Sequence, residues 1–150
     1  MNIIFRSYKS ISYIFVAILL INTSVFGQKI PQSPAPEDAR VYFISPSDQA
    51  SLVSPILIRF GLSNMGIAPA GSNIQNTGHH HLIIDLEELP PLDQSLPASA
   101  NVRHFGLGQT EAYIDLPPGE HTLQLVLGDW LHVPHEQPVL SEKITIYVER

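Results

Sequence analysis

The sequence predicts an all-β fold for its main domain. After the N-terminal apolar stretch, six or seven short segments alternate apolar and polar residues with the period-two pattern of half-buried strands. Clusters of Pro, Gly, Asn, Ser and Asp separate these segments, and helical periodicity is absent after residue 27. We therefore expect an antiparallel β-sandwich of immunoglobulin-like type with about seven strands.

Residues 1–27 have the organisation of a signal peptide. Arg6 and Lys9 give a positively charged start, an apolar stretch follows over residues 11–21, and Gly27 is a small residue suited to cleavage. The apolar stretch is short for a membrane-spanning helix, so we expect no stable membrane insertion after cleavage. The mature protein is then expected to be periplasmic or secreted.

The acidic composition excludes several classes of partner. Removal of the signal peptide takes away Arg6 and Lys9, which leaves 6 of the 8 basic residues against 14 acidic ones, a net charge of −8 instead of −6. Nucleic acid or an anionic membrane surface would require a basic patch, so neither is expected as a partner. The chain has no Cys, which removes disulfides and thiolate metal sites from consideration.

Residues 28–39 contain three prolines among polar residues and are predicted to form a flexible linker. The β-sandwich domain is then expected over residues 40–150. Its predicted strands have the bounds 40–44, 56–62, 79–86, 110–116, 121–129 and 139–147.

The turn at residues 117–120 separates the two clearest of these strands. Its sequence is Pro-Pro-Gly-Glu, which is typical of a tight turn. We therefore predict that strands 110–116 and 121–129 form a β-hairpin.

Two long irregular segments interrupt the series of strands. Residues 64–78 are rich in Gly, Asn and Pro, and residues 87–101 carry three further prolines. Loops of this length are uncommon in compact domains and are often functional.

Three consecutive His at the start of strand 79–86 are the most distinctive feature of the chain. On a strand, His80 shares one face with Leu82 and is expected in the core, while His79 and His81 share the other face, which is expected to be semi-exposed. Two imidazoles on one face can converge on a transition-metal ion if another element supplies a further ligand.

The other candidate ligands lie outside this strand, and the full predicted set is His79, His81, His104, His132 and His135. Several imidazoles without Cys, and with one Met after residue 27, suit Cu(II) or Zn(II) better than Cu(I). Asp85, Asp129 and Glu136 are candidates to complete or orient such a site. Because a ligating imidazole must be neutral, metal affinity is expected to fall as the pH drops through the ordinary imidazole pKa of about 6.5.

A structural role is the alternative interpretation of these side chains. His80 and His121 alternate with apolar residues, so both are expected to be hydrogen-bonded polar groups of the core. If the remaining His are structural too, the protein is an interaction module of the cell envelope that contacts a protein or a glycan.

Catalytic motifs do not accompany the His residues. The sequence has no Gly-x-Ser-x-Gly elbow, no Cys nucleophile and no recognisable pair of carboxylates. His104 with Glu111 or Asp115 is left open as an acid/base pair. We expect a non-catalytic binding protein.

Several motifs together resemble a family of small exported bacterial proteins. The resemblance covers roughly residues 42–148, and its most specific motifs are NTGHHHLIID at 76–85, HFGLGQTE at 104–111 and PGEHTLQLVLGD at 118–129. The family is catalogued as a domain of unknown function. The resemblance implies a single periplasmic or extracellular domain, and no catalytic role can be carried over from it.

Overall fold

A computed structural model describes residues 30–150 and shows an all-β fold. The predicted signal peptide lies outside the described residues. Over the described range the chain forms no helix, and so none long and apolar enough to cross a membrane. The strands are β1 (Arg40–Ser45), β2 (Ala50–Leu52), β3 (Ile56–Ser63), β4 (Gly66–Ile67), β5 (Thr77–Ile84), β6 (Val102–His104), β7 (Glu111–Ile114), β8 (Gly119–Gly128) and β9 (Ile144–Val148).

The smaller of two sheets contains β1, β3 and β7. All its neighbours are antiparallel, with β3 in the centre, and Phe43 pairs with Phe60 while Ile58 pairs with Ala112. Ile56, Ile58 and Phe60 are buried on one face of β3, as the predicted alternation requires.

The larger sheet has the strand order β2-β9-β8-β5-β4, and β6 also pairs with β5. It is a mixed sheet, because β2 runs parallel to β9 and β4 parallel to β5, while the other pairs are antiparallel. β5 and β8 form its centre. The His-rich strand β5 therefore lies between β8 on one side and the short strands β4 and β6 on the other.

The two sheets share one apolar core. Ile58 of the smaller sheet is fully buried in this core with Leu82, Leu123, Leu125 and Ile146 of the larger one. The inward face predicted for residues 121–129 is therefore confirmed.

A second apolar cluster covers the opposite, outer face of the larger sheet. Ile83 of β5 and Val126 of β8 pack there against Leu96 and Val102. Every residue of β5 after Thr77 is buried. The semi-exposed face expected for His79 and His81 is therefore wrong, because alternation along one strand carries no signal for other parts of the chain that pack on it, here the rings of His104 and His132.

The predicted hairpin of residues 110–116 and 121–129 is also wrong. β7 pairs with β3 in the smaller sheet, whereas β8 pairs with β5 and β9 in the larger sheet. Pro117 and Pro118 between them have no N–H for a strand ladder, and the N–H of Leu116 donates to Ser54 Oγ at 3.1 Å. The Pro-Pro segment therefore carries the chain from one sheet to the other.

Three short strands were not predicted. β2, β4 and β6 have two or three residues each, which is too few for a period-two pattern to be visible. β6 nevertheless carries His104, which is the last residue of this strand of the larger sheet.

The described part of the predicted linker is attached to the domain. Gln32 Nε2 donates to the carbonyl oxygens of Leu92 and Pro134, at 2.9 Å each, and Ser33 Oγ donates to Asp129 Oδ2 at 2.8 Å. The composition of residues 28–39 had predicted a flexible linker. The contacts over residues 32–33 come from a side-chain amide, a side-chain hydroxyl and the backbone carbonyl of Ser33, which accepts from the N–H of Glu136 at 3.0 Å, and their partners are distant in sequence.

Candidate metal centre

β5 carries His79 and His81 on the outer face of the larger sheet. Asn76 has φ of 55°, a left-handed conformation that Asn tolerates, and the strand begins at the next residue. His79 lies opposite Gly128 of β8. A Cβ added at Gly128 would lie 2.6 Å from Cε1 of His81, so this glycine makes room for the imidazole.

β6 brings His104 to the same face. In the antiparallel pairing with β5, His104 lies directly opposite His81, which places the two side chains next to each other. Gly106 leaves space for the ring, since a Cβ there would collide with the imidazole of His104.

His132 comes from the loop after β8, which Asp129 organises. Oδ1 of Asp129 accepts hydrogen bonds from the backbone N–H groups of Leu131 at 2.8 Å and Val133 at 3.1 Å, and Oδ2 accepts from Ser33. The N–H of His132 donates to the carbonyl of Asp129 at 2.9 Å. His132 has φ of 66°, an uncommon conformation for a residue other than glycine, and these bonds hold it there.

These elements gather four imidazole rings. The centroid of His79 lies 4.8 Å from that of His81, 4.9 Å from that of His104 and 5.1 Å from that of His132. His104 is 5.1 Å from His81 and 4.6 Å from His132, and the longest separation is 6.2 Å between His81 and His132. We call these four residues the His cluster.

Three members of the His cluster have the closest nitrogen atoms. One nitrogen each of His79, His81 and His104 lies within 4.8 Å of the others. This is somewhat wider than two metal–nitrogen bonds of about 2 Å allow. The rings must therefore move towards a common point for three of them to bind one ion.

The two buried rings lack protein partners for their nitrogens. His79 and His81 are 0% and 1% exposed, and none of their four ring nitrogens has a hydrogen-bond partner among residues 30–150. An unpaired buried polar group typically costs about 1–3 kcal/mol, and most such groups in proteins are paired. A bound metal would satisfy one nitrogen of each ring.

The environment of the His cluster favours the neutral form of His79, His81 and His104. Burial, followed by the charge of neighbouring imidazoles, lowers the pKa of His79 to about 4 and that of His81 to about 3. Burial and then the charge of His132 lower the pKa of His104. The neutral form is the one that coordinates metal, so these three imidazoles need not lose a proton first at neutral pH.

His135 does not join the other predicted ligands. Its Nε2 lies 3.3 Å from the backbone carbonyl oxygen of Thr77 at the start of β5, and its Nδ1 has no partner in the described part of the chain. The structure thus brings four of the five predicted ligands together and leaves His135 outside the His cluster.

His80 and His121, which were expected to be structural, lie apart from the His cluster. His80 points to the core face of β5, where its ring centroid is 4.9 Å from that of Phe60 and its Nδ1 is 3.3 Å from the carbonyl oxygen of Gln109. Burial lowers the pKa of His80 to about 4, against the opposing effect of the Gln109 carbonyl.

His121 is held by two acceptors. Its Nδ1 lies 2.7 Å from Asp85 Oδ2 and its Nε2 lies 2.8 Å from the carbonyl oxygen of Pro117. Burial lowers the pKa of His121, but these bonds and the charge of Asp85 outweigh burial and raise it. The oxygens of Asp85 therefore bind His121 and the backbone N–H of Thr122, and not the His cluster.

Sequence reasoning missed the residues that make space for the rings. Gly106 and Gly128 each stand beside a ligand, and only the pairing of β5 with its neighbours shows which ring each glycine admits. Asp129 was considered as a possible orienting group, but it acts through backbone N–H groups of the loop. The turn chemistry of an Asp directly after a strand was the available signal.

The fold and the site define an all-β protein with a candidate imidazole metal centre. The chain belongs to the family described as Domain of unknown function (DUF4399), which matches residues 58–149. The match confirms the family resemblance carried by the motifs and includes every member of the His cluster. Comparisons with curated proteins and with solved structures found no match.

Proposed function

We propose that this protein binds one divalent transition-metal ion, Cu(II) or Zn(II), through His79, His81 and His104. His132 supplies the fourth imidazole. The observation that carries the proposal is the convergence of these rings from three separate elements, together with buried ring nitrogens that have no partner within the described residues.

The ligand type supports the choice of metal. Neutral imidazoles suit Zn(II) and Cu(II), whereas Cu(I) favours sulfur ligands. The chain has no Cys, and Met65 lies outside the His cluster, packed against the apolar core between the sheets.

We further propose that the protein acts outside the cytoplasm as a binding protein and not as an enzyme. The signal-peptide pattern of residues 1–27 supports export. In this proposal residues 28–39 follow the signal peptide, and residues 40–150 form a domain with an immunoglobulin-like arrangement of its two sheets. Asp129, the carboxylate closest in sequence to His132, has both oxygens occupied by hydrogen bonds. It is therefore a poor general base, which supports binding without catalysis.

Metal analysis of the protein purified without a His tag tests the proposal. Titration calorimetry with Zn(II) and with Cu(II) should show one ion per chain for the wild type and a loss of binding for the His79→Ala/His81→Ala double variant. The matched control is His80→Ala, which removes the neighbouring imidazole from the opposite face. It should lower the stability of the apo protein and retain the metal. Equal metal binding by the double variant and the wild type would show that the pair on β5 is not the site, and absence of metal binding by the wild type would favour an interaction module instead.

A further inference from the structure

Resting on the proposed metal site, we infer that the ion is an exchangeable cargo. It would leave by ligand substitution from the side of His104, to an acceptor that offers nitrogen or sulfur ligands. The alternative is a permanently held structural ion enclosed by the protein. Three features of the His cluster separate these possibilities.

The first feature is that the His cluster is open on one side. His79 and His81 are fully buried, whereas His104 is exposed and His132 is half-buried. An incoming ligand can therefore reach the ion beside His104 while the two buried imidazoles still hold it.

The second feature is the absence of support behind the ligands. A ligating His almost always donates its second ring N–H to a carboxylate or carbonyl, and loss of such a partner typically lowers metal affinity by about 10- to 100-fold. After one nitrogen of His79 or His81 binds the ion, the other has no hydrogen-bond partner within residues 30–150. These imidazoles are held by packing alone, which favours exchange over permanent retention.

The third feature is charge. An imidazole that coordinates a metal is an uncharged ligand, so these residues do not neutralise a divalent ion. The nearby carboxylate of Asp129 is committed to Leu131, Val133 and Ser33 through hydrogen bonds of 2.8–3.1 Å. An acceptor with thiolate ligands, which bring negative charge to the ion, would therefore compete well for the metal.

The exchange step conserves charge and electrons. The lone pair of an acceptor nitrogen or sulfur forms a bond to the ion, and the bond from the His104 nitrogen to the ion breaks. The metal remains divalent, and the freed imidazole takes up no electron. Successive substitutions at the half-buried and buried imidazoles complete the transfer.

Exchange kinetics test this inference. The full mature chain is loaded with Zn(II) and mixed in a stopped-flow instrument with increasing concentrations of the small coloured chelator 4-(2-pyridylazo)resorcinol. If the acceptor attacks the ion before the protein releases it, the rate of transfer should double whenever the chelator concentration doubles. A rate that does not depend on chelator concentration would overturn the inference, because a closed site must first release its metal.

Two variants locate the exchange path. His104→Ala should accelerate transfer at a given chelator concentration, because the ligand that must be displaced first is missing, whereas His80→Ala should leave the rate unchanged. Equal acceleration in both variants would indicate general loosening of the domain and would contradict the inference. Failure of the wild type to take up Zn(II) at all would instead overturn the proposed metal site itself.

Discussion

The geometry of the His cluster depends on the residues around the rings as well as on the ligands themselves. Gly128 occupies the position opposite His79 on β8, and the space that its missing side chain leaves is filled by the ring of His81. Gly128 has no positive φ, so a glycine is needed at this position because it leaves room for the ring, and not because of its conformational freedom. The geometry of one ligand thus depends on a residue of the neighbouring strand.

Replacement of Gly128 by Ala should damage the metal site. The new methyl group would lie 2.6 Å from Cε1 and 3.0 Å from Nδ1 of His81, so the ring must move away from the other imidazoles. Overpacking of this kind typically costs about 1–3 kcal/mol. We expect a lower melting temperature and weaker Zn(II) binding, measured by calorimetry.

The matched control for this variant is Gly66→Ala on β4. There the added methyl group would meet Thr77 Cγ2 at 3.2 Å, with no imidazole among its nearest neighbours. It should retain normal metal affinity. Equal losses of affinity in the two variants would show that His81 is not the cause.

Asp129 affects the metal site through the loop backbone. Asp129→Ala removes the acceptor of the Leu131 and Val133 N–H groups, which fix His132 in its left-handed conformation. We expect metal affinity to fall by about 10- to 100-fold, the range for groups that orient a ligand. Asp129→Asn keeps one carbonyl oxygen as an acceptor and should therefore lose less metal affinity than Asp129→Ala.

A double-mutant cycle separates this role from general stabilisation. If Asp129 acts by positioning His132, the substitution Asp129→Ala should have little further effect on metal affinity in a His132→Ala background. Fully additive losses would show that Asp129 contributes by another route.

At the scale of elements, β5 and β8 support both the core and the metal site. Alternate residues of each strand face different layers. Leu125 of β8 lies in the core between the sheets, while Val126 packs on the outer face with Leu96 and Val102. A change in the register of β8 by one residue would exchange these faces. The position of the His cluster therefore depends on the same pairing that fixes the core.

Leu125→Ala tests the face assignment of β8. Leu125 is fully buried, so the substitution should leave a cavity and reduce the free energy of unfolding by about 2–5 kcal/mol. Tyr113 on β7 is 70% exposed, and Tyr113→Ala should cost clearly less. Denaturant unfolding of both variants provides the measurement, and similar losses would contradict the assignment.

Local pattern explains which strands were predictable from the sequence. The alternation of Ile56, Ile58 and Phe60, and that of Leu123 and Leu125, reports burial against one core, and both strands have the expected inward faces. The pairing of strands is a non-local property. Two neighbouring strands joined by a Pro-Pro-Gly turn resemble a hairpin locally, but their partners are β3 for one and β5 with β9 for the other.

The candidate site was likewise predictable in its local features and not in its long-range contacts. Shared parity placed His79 and His81 on one face, and residue type made His104 and His132 candidate partners. Their convergence depends on the pairing of β6 with β5 and on the hydrogen bonds of Asp129, neither of which leaves a periodic signal. His135 has the same local appearance as His132, and only the folded chain directs it to Thr77 instead.

At the scale of the whole molecule, burial of the His cluster couples folding to pH. The pKa values of His79 and His81 in the folded protein, about 4 and about 3, lie below the ordinary value of about 6.5 that applies to the unfolded chain. The unfolded chain therefore binds protons that the folded protein does not, and acid favours unfolding. The contribution of these residues to the stability of the metal-free protein is complete above about pH 6.5. It is lost progressively as the pH falls towards the folded pKa values.

The same lowered pKa values change the expected pH dependence of metal binding. The sequence alone led us to expect that protons would displace the metal near pH 6.5, the ordinary imidazole pKa. In the folded protein, protons compete at His79 and His81 only as the pH approaches about 4, because burial keeps both rings neutral above it. Metal that binds the folded state raises the free energy of unfolding by about 2.7 kcal/mol at 100 times Kd. Zn(II) should therefore raise the melting temperature at pH 7.5 and still raise it at pH 5, and the increment should disappear towards pH 4.

Thermal unfolding with and without Zn(II) across this pH range measures the increment directly. The His79→Ala/His81→Ala variant should show no increment at any pH, and its metal-free form should lose less stability on acidification than the wild type does. His80→Ala, whose imidazole faces the core, should keep the metal increment at pH 5. Loss of the wild-type increment already near pH 6.5 would show that the ligating imidazoles titrate like exposed ones, and that the metal is not held by the buried pair on β5.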